Sequence, residues 1–299
     1  MKISVSVSPV WRAQGLSEEE LLMHLRSCGF RYFCEEFDAS KEVGRGFSAE
    51  RRSLLKNAGM TAVKARALCE DPYGNIDGLL RVIELCAEEG ICELVVPMGV
   101  KTDNSRWEYY ADNKAYLARL LPAARENGVK LLIENCGSYQ NCHYSHCGYE
   151  LRDIMEYLGY PEGLGLNLNI ANQGLIEVNP YSDTRVFGST LCSVDVSDNL
   201  FGMPMGVMKD RENLGLMPLT GYIEFDESFA ALKEMNYDGV YNLRMNSPRL
   251  FDKTSPYVTD SKLAVMPLPL LSRHYALAYK SVRYMLETYG YHDEAGENA

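Results

Sequence analysis

Ionisable side chains stand near the carboxyl-terminal ends of several apolar stretches of this 299-residue chain. Glu134 closes the run VKLLIE, Asp195 lies in LCSVDV, and Arg244 follows VYNL. A positioned carboxylate can take up or return a proton, and a guanidinium can hold a carbonyl, carboxylate or phosphate oxygen. These residues are therefore candidate catalytic groups, with Glu134 as general base, Asp195 as acid or orienting group, and Arg244 as the oxygen binder.

Further polar residues fall on one face of their segments. Side chains alternate between the two faces of a strand, so Lys64 shares a face with Arg66, and Asn167 shares a face with Asn169. Lys64, Arg66 and Asn169 are candidate substrate-binding residues, and Trp11 is a candidate for covering a substrate or for a surface lid contact. Because buried charges need partners, the alternative is an internal salt-bridge network without chemistry.

A segment rich in cysteine and histidine, NCGSYQNCHYSHC, begins directly after Glu134. Cys142, His143, His146 and Cys147 carry the side chains that zinc prefers. Their spacing matches no standard zinc ribbon or finger, so three interpretations stay open. The segment is a packed loop with reduced thiols, a zinc site, or a loop that brings His143 to the substrate.

The elements that must position these residues alternate regularly along the chain. Strands are predicted at about residues 3–8, 31–37, 60–68, 94–98, 129–135, 165–171, 191–196 and 240–245, with amphipathic helices between them. Several helices end at a glycine just before the next strand. Eight βα units in series predict an α/β fold, a (β/α)8 TIM barrel whose catalytic residues lie at the carboxyl-terminal ends of the strands.

Domain organisation follows from the absence of any proline- or serine-rich linker. We expect a single barrel over residues 1–292 and a polar, mobile tail over residues 293–299. The apolar faces of the strands are expected to pack against the helices. The lumen then receives the polar faces, with Arg66, Glu134, Asn169, Asp195 and Arg244 nearest the carboxyl-terminal rim.

Segments in this order resemble the xylose isomerase-like barrels, a family that includes ketohexose 3-epimerases and inosose dehydratases. VKLLIENCG resembles a fifth strand that ends in a metal-binding glutamate, here Glu134. GLGLNLNIANQG resembles a sixth strand with Asp-x-x-His, SVDVSDN resembles a seventh strand with His-x-x-Asp, and LTGYIEFDESFAALKEMNYDGVYNLRM resembles the glycine turn, seventh helix and eighth strand. The resemblance implies a sugar isomerase or epimerase that uses a metal ion and two glutamates.

The metal ligands of that pattern are altered in this chain. Asn169 and Asn172 stand where the sixth-strand pattern has Asp and His, and Asp195 stands in place of the seventh-strand His. Asp198 keeps the final acid of that motif, whereas Arg244 replaces the second metal-binding Glu. The resemblance therefore implies a degenerate metal site.

Two interpretations of the cofactor remain open. Glu134, Asp195 and the side-chain oxygen of Asn169 can still hold Mn, Mg or Co. A permanently protonated Arg244 would repel such an ion, which favours a metal-independent reaction. The chain is expected to be an isomerase, epimerase or related lyase acting by proton transfer on a small sugar, polyol or sugar acid. The alternative is a non-catalytic barrel that binds a small carbohydrate or a protein partner.

Composition narrows the remaining classes. A net charge of −11 and a pI near 5.1 disfavour nucleic-acid binding. The abasic-site endonucleases, which share the fold, are disfavoured as well, because they need several metal-binding histidines and this chain has five in all. No apolar run approaches the length of a membrane span, and no signal peptide opens the chain. The odd number of cysteines, nine, indicates reduced thiols and a cytoplasmic protein. Family analogy predicts a homo-oligomer.

Overall fold

Eight parallel strands close into a barrel in sequence order in the computed structural model, which describes residues 1–7, 11, 14–42, 49–101, 104–137, 144–176, 178–199, 213, 215–245 and 266–291. The strands are β1 (Lys2–Ser6), β2 (Tyr32–Asp38), β3 (Thr61–Leu68), β4 (Glu93–Val95), β5 (Lys130–Glu134), β6 (Leu164–Asn169), β7 (Leu191–Val196) and β8 (Val240–Leu243). Pairing of β8 with β1 completes the barrel. The predicted (β/α)8 fold is confirmed.

Helices connect the strands and cover the outside of the barrel. They are α1 (Glu18–Ser27), α2 (Ala39–Glu42), α3 (Ala49–Ala58), α4 (Ile76–Glu89), α5 (Arg106–Glu126), α6 (Gly148–Leu158), α7 (Ile170–Gln173), α8 (Pro180–Val186), α9 (Phe225–Glu234) and α10 (Leu268–Thr288). Within the described ranges, no helix has the length and apolar character needed to cross a membrane. The predicted tail over residues 293–299 lies outside the described residues.

Local sequence signals explain where several helices begin and end. Ser17 and Ser105 form capping boxes with Glu20 and Glu108, so α1 and α5 begin directly after these serines. Gly90 ends α4 with a φ of 76°. An L-residue with a Cβ adopts this left-handed conformation at a cost, so glycine is favoured at this point.

The carboxyl-terminal end of β6 differs from the prediction. The side-chain oxygen of Asn169 accepts a hydrogen bond from the backbone N–H of Asn172 at 3.1 Å, which caps the short helix α7. The strand therefore ends at Asn169 instead of continuing to residue 171. This short helix and α2 both lie in segments for which the sequence predicted no helix.

The two faces of the strands separate as the alternation predicted. Val5, Ile133 and Val194 are fully buried in the hydrophobic core, which extends through the surrounding helices. Burying each such side chain stabilises the fold by about 1.5–3 kcal/mol. The opposite faces carry the polar residues, which are consequently held in the lumen of a rigid barrel.

Candidate active site

Polar side chains from different strands meet in the carboxyl-terminal half of the lumen. Strand register places Glu134 beside Asn167, Asn169 beside Asp195, and Asp195 beside Asn242. Lys64 and Arg66 reach the same cluster from β3, on the other side of the barrel. Of the residues predicted from the sequence, the structure brings together Lys64, Arg66, Glu134, Asn169, Asp195 and Arg244.

Asp195 is fully buried, and each of its carboxylate oxygens accepts two hydrogen bonds. At Oδ1, Lys64 Nζ donates at 2.7 Å and Asn242 Nδ2 donates at 2.8 Å. At Oδ2, Asn167 Nδ2 donates at 3.2 Å, and Arg66 Nη2 also donates. Four donors from four side chains leave no free face on this carboxylate.

The surrounding charges keep Asp195 ionised. Burial by itself would raise the pKa of Asp195, but Lys64, Arg66 and Arg244 outweigh burial and hold it well below its usual range. A group that stays ionised and has no open face is a poor proton donor at neutral pH. The prediction that Asp195 acts as an acid does not fit this environment, whereas the orienting role does.

Arg66 forms a bidentate pair with the carboxylate of Glu134. Its Nη1 donates to Glu134 Oε1 at 3.1 Å, and its Nη2 donates to Glu134 Oε2. Burial would lower the pKa of Arg66, but Glu134 and Asp195 raise it further above its usual value. The guanidinium therefore forms a permanent cation between two carboxylates.

Glu134 is the more accessible of the two carboxylates, with 13% of its side chain exposed. Asn167 Nδ2 also donates to Oε2, so this oxygen has two firm partners. The second oxygen, Oε1, has the bond from Arg66 and a longer contact of 3.5 Å with Asn169 Nδ2. Oε1 is therefore the atom of the cluster that is best placed to exchange a proton with a bound molecule.

Arg244 lies at the outer edge of the cluster, just after β8. Its Nη1 is 3.9 Å from Glu134 Oε1, which is longer than a hydrogen bond, and 31% of its side chain is exposed. Its backbone N–H donates to Val196 O at 3.1 Å, which extends the pairing of β8 with β7. The backbone is consequently held in place while the guanidinium faces the opening of the barrel.

The amide groups at the end of β6 are turned away from a metal position. Asn169 Oδ1 accepts from the backbone N–H of Asn172 at 3.1 Å and from Asn213 Nδ2 at 3.3 Å. The amide nitrogen Nδ2 points towards Glu134 instead. Asn172 Nδ2 donates to the backbone oxygen of Asn135 at 2.8 Å. The side-chain oxygen of Asn169 therefore caps α7, and the expectation that it binds a metal stays a prediction.

The donor set as a whole does not fit a divalent ion. Asp195 has four hydrogen-bond donors, and Arg66 bridges the space between Asp195 and Glu134. An incoming ion would have to displace this guanidinium and would lie close to Lys64 as well. Among the residues described, no group of three or more His, Cys, Asp or Glu side chains is arranged to hold a metal.

Trp11 belongs to the core and not to the site. Its side chain is fully buried, and its ring centroid lies 5.1 Å from that of Tyr275 in α10 and 6.3 Å from that of His24 in α1. The predicted contact with a substrate does not fit this packing between helices. Edge-to-face packing of aromatic rings stabilises the core instead.

The loop after β5 is described only in part. Cys142 and His143 lie outside the described residues, so the zinc site and the substrate contact of His143 stay predictions. His146 is buried, and its Nδ1 lies 3.1 Å from Glu150 Oε2. Cys147 caps the start of α6, and burial raises the pKa of its thiol to about 11.

Asp198 has a structural role at the end of β7. Its Oδ1 accepts from the backbone N–H groups of Asn199 at 2.7 Å and Ile223 at 3.1 Å, and its Oδ2 accepts from that of Gly221 at 2.7 Å. The carboxylate thus fastens the turn before α9 to the barrel. In this chain the acid at the end of the seventh-strand motif, Asp198, therefore serves to hold this loop.

Three further residues on the lumenal face were not assigned from the sequence. Strand register places Cys34 beside Lys64 and Glu36 beside Arg66. Of the two neighbouring glutamates of β2, Glu35 and Glu36, it is therefore Glu36 that shares the lumenal face. Ser197 lies two residues beyond Asp195, and its hydroxyl is buried. Extending the period of two along β7 would have indicated Ser197, whereas the β2 residues required the register with β3.

Comparisons with known proteins agree with this architecture. A family profile described as a xylose isomerase-like TIM barrel matches residues 25–266. No curated protein sequence matches the chain.

Several solved structures superpose over nearly the whole chain. D-psicose 3-epimerase from Clostridium cellulolyticum H10, solved with D-tagatose, gives a TM-score of 0.73 at 14% identity, covering 96% of this chain and 99% of that one. The 3-keto-D-glucoside 4-epimerase of E. coli gives 0.68 at 17% identity, covering 95% and 99%. An L-ribulose 3-epimerase gives 0.68 at 15% identity, covering 98% and 100%. At these identities the likeness establishes the fold.

Proposed function

We propose that this chain, which belongs to the xylose isomerase-like TIM barrel family, binds a small sugar, polyol or sugar acid and transfers a proton on it without a divalent metal. The observation that carries the proposal is the position of Glu134, held by Arg66 and facing Arg244 at the mouth of the barrel. Barrel enzymes place their reacting groups at this rim. The three superposed structures named above are sugar epimerases.

The proposed roles follow from accessibility and charge. Glu134 Oε1 removes a proton from a carbon next to a carbonyl group. Arg244 binds an oxygen atom of the substrate at the mouth of the barrel and orients the substrate, as a positioned cation does in a site sheltered from water. Lys64, Arg66 and Asp195 hold Glu134 and Asn167 in place and do not exchange protons themselves.

The position of Glu134 beside Arg244 favours return of the proton to the same face of the substrate. When Glu134 removes the proton from C2 and delivers it to C1, and the proton of the C2 hydroxyl passes to the oxygen on C1, an aldose becomes a ketose. Inversion of configuration needs a proton from the opposite face. Among the described lumenal residues, Glu36 is the carboxylate that remains for that task.

Hydrogen exchange with solvent tests this proposal. The protein, kept in EDTA, is incubated in D2O with neutral pentoses, hexoses and ketohexoses and with sugar acids, and loss of C–H signals is followed by proton NMR. We expect exchange at a carbon next to the carbonyl, and its loss in Glu134→Gln. Glu162→Gln, an exposed residue far from the lumen, is the matched control and should exchange normally.

The second candidate is a barrel that binds a small carbohydrate or a protein partner without turnover. The saturated hydrogen bonding of Asp195 favours it, because a closed ion-pair network is also a stable end state. In that case Glu134→Gln retains ligand binding, and the wild-type protein exchanges no proton with any compound of the panel. That result would remove the enzymatic proposal.

A further inference from the structure

The charges that are joined by hydrogen bonds in the lumenal cluster balance without Arg244. Lys64 and Arg66 hold Asp195 and Glu134 through short hydrogen bonds, so these two cations and two carboxylates neutralise one another. Arg244 is then an additional cation, and its contact with a described carboxylate is the 3.9 Å approach to Glu134. A guanidinium has five N–H donors and stays charged at any physiological pH. The cluster therefore offers a positive charge with free donors at the barrel mouth.

Two donors of the lumenal face, one on β3 and one just after β7, are buried. Within the part of the chain that the structure describes, neither Arg66 Nε nor Ser197 Oγ has a hydrogen-bond partner. The bond from Arg244 N to Val196 O continues the β7–β8 register, in which Asp195 is opposite Asn242, so Ser197 is the neighbour of Arg244. A buried polar group without a hydrogen-bond partner destabilises the fold. A ligand that accepts hydrogen bonds would remove that destabilisation.

Glu36 is the other lumenal carboxylate that could pair with Arg244 in place of a ligand. It lies on the lumenal face in register with Arg66 and is partly exposed. The hydrogen bonds of Arg66 go to Glu134 and Asp195 and not to Glu36. No described contact joins Glu36 to Arg244, so the charge of Arg244 remains available to a ligand.

We infer that Arg244, with Ser197 beside it, is an anion subsite that binds the carboxylate of a sugar acid. The inference rests on the proposed function and names its substrate class. A carboxylate is planar and accepts two parallel hydrogen bonds from one guanidinium. It also brings a single negative charge, which matches the single additional cation of the cluster. A phosphate dianion would leave one of its charges without a partner among these residues.

Calorimetric titration with matched probes tests the subsite. The probes are C5 and C6 aldonates and uronates, among them D-gluconate and D-glucuronate, with D-glucose as the neutral reference and D-glucose 6-phosphate as the phosphate reference. We expect the best carboxylate to bind at least about tenfold more tightly than D-glucose, which corresponds to about 1.4 kcal/mol. Arg244→Gln should abolish this preference, so that the best carboxylate and D-glucose bind this variant with equal affinity.

Further variants separate the subsite from a general charge effect. Arg273→Gln removes the same charge from the exposed face of α10 and should retain the full preference. Ser197→Ala removes one neutral hydrogen bond and should weaken carboxylate binding about threefold. Arg244→Lys keeps the charge without the two-pronged geometry and should retain part of the preference.

Each outcome distinguishes the inference from the proposed function. Equal binding of carboxylates and D-glucose by the wild type, a preference that survives in Arg244→Gln, or tighter binding of the phosphate overturns the carboxylate subsite. If neutral sugars exchange protons in a Glu134-dependent way and carboxylates bind no more tightly than D-glucose, the function stands and the subsite fails. If carboxylates bind through Arg244 but exchange no proton, the subsite stands and the catalytic function fails.

Discussion

Replacing Lys64 by methionine removes the buried ammonium that donates to Asp195 Oδ1 and Asn167 Oδ1, each at 2.7 Å. Both side chains of this ion pair are fully buried. Methionine fills nearly the same volume, so the change removes charge and hydrogen bonds with little cavity. The variant therefore measures how strongly the lumenal network depends on its central cation.

The magnitude follows from what remains bound to Asp195. Removing one partner of a buried ion pair costs about 3–5 kcal/mol. Arg66 still donates to Asp195, so we expect the lower end, about 3 kcal/mol. At about 2 °C per kcal/mol for a chain of this size, the thermal midpoint should fall by about 6 °C.

The pH dependence has a defined sign. The pKa of Asp195 is lowered in the folded state, so its ion pairing is fully present above the unfolded value of about 3.9 and is lost only as the pH falls through the lower, folded pKa. The difference in the free energy of unfolding between wild type and Lys64→Met should consequently stay constant from pH 8 to pH 6.

Urea denaturation of a double-mutant cycle is the assay. Lys64→Met, Asp195→Asn and the double variant should show a coupling of at least about 1.5 kcal/mol. Lys101→Met is the matched control, because Lys101 pairs with Asp112 at 2.8 Å on the surface and such pairs are worth about 0–1 kcal/mol. Additive effects of the two lumenal substitutions, or a difference that vanishes between pH 8 and pH 6, would refute the reasoning.

Three further results are expected. Dialysis against EDTA and then addition of Mn²⁺ should each shift the thermal midpoint by less than about 1 °C, because the side chains of Lys64 and Arg66 already bind the carboxylates of Asp195 and Glu134. A rise of several degrees with Mn²⁺ would support a metal site instead. Asp198→Ala should lower the free energy of unfolding in urea by about 1–3 kcal/mol through loss of the acceptors for three backbone N–H groups, and an unchanged value would contradict the anchoring role. Burial raises the pKa of the Cys34 thiol to about 12, so iodoacetamide at pH 8 should label the exposed Cys92 and leave Cys34 unmodified. Mass spectrometry of the treated native protein measures this, and rapid labelling of Cys34 would contradict its burial.

Much of the architecture could be predicted because its signals are local. Alternation with a period of two separates Val194 from Asp195, and a serine followed three residues later by glutamate starts a helix, as at Ser17. These patterns depend on a few neighbouring residues and on backbone geometry. They were therefore sufficient for the order of the strands, the faces that enter the lumen and the rim at which the polar residues collect.

Side-chain orientation could not be predicted where a side chain has alternatives that its neighbours in sequence do not decide. The indole of Trp11 is buried because α1 and α10 meet over it. The oxygen of Asn169 turns to cap α7, so the residue that stands in place of a metal-binding acid presents its nitrogen to Glu134. Neither orientation follows from residue type or spacing.

What the sequence by itself determined was that cations and carboxylates share one lumen. Only the tertiary structure decided which cation meets which carboxylate. Arg66 bridges Glu134, 68 residues away, and Asp195, 129 residues away, because closure of the barrel and the stagger of its strands bring β3 opposite β5 and β7. In that geometry Asp195 accepts hydrogen bonds from four side chains, whereas Arg244 stays 3.9 Å from Glu134, the described carboxylate that it approaches. Hydrogen bonding depends on such distances, and only the closed barrel sets them.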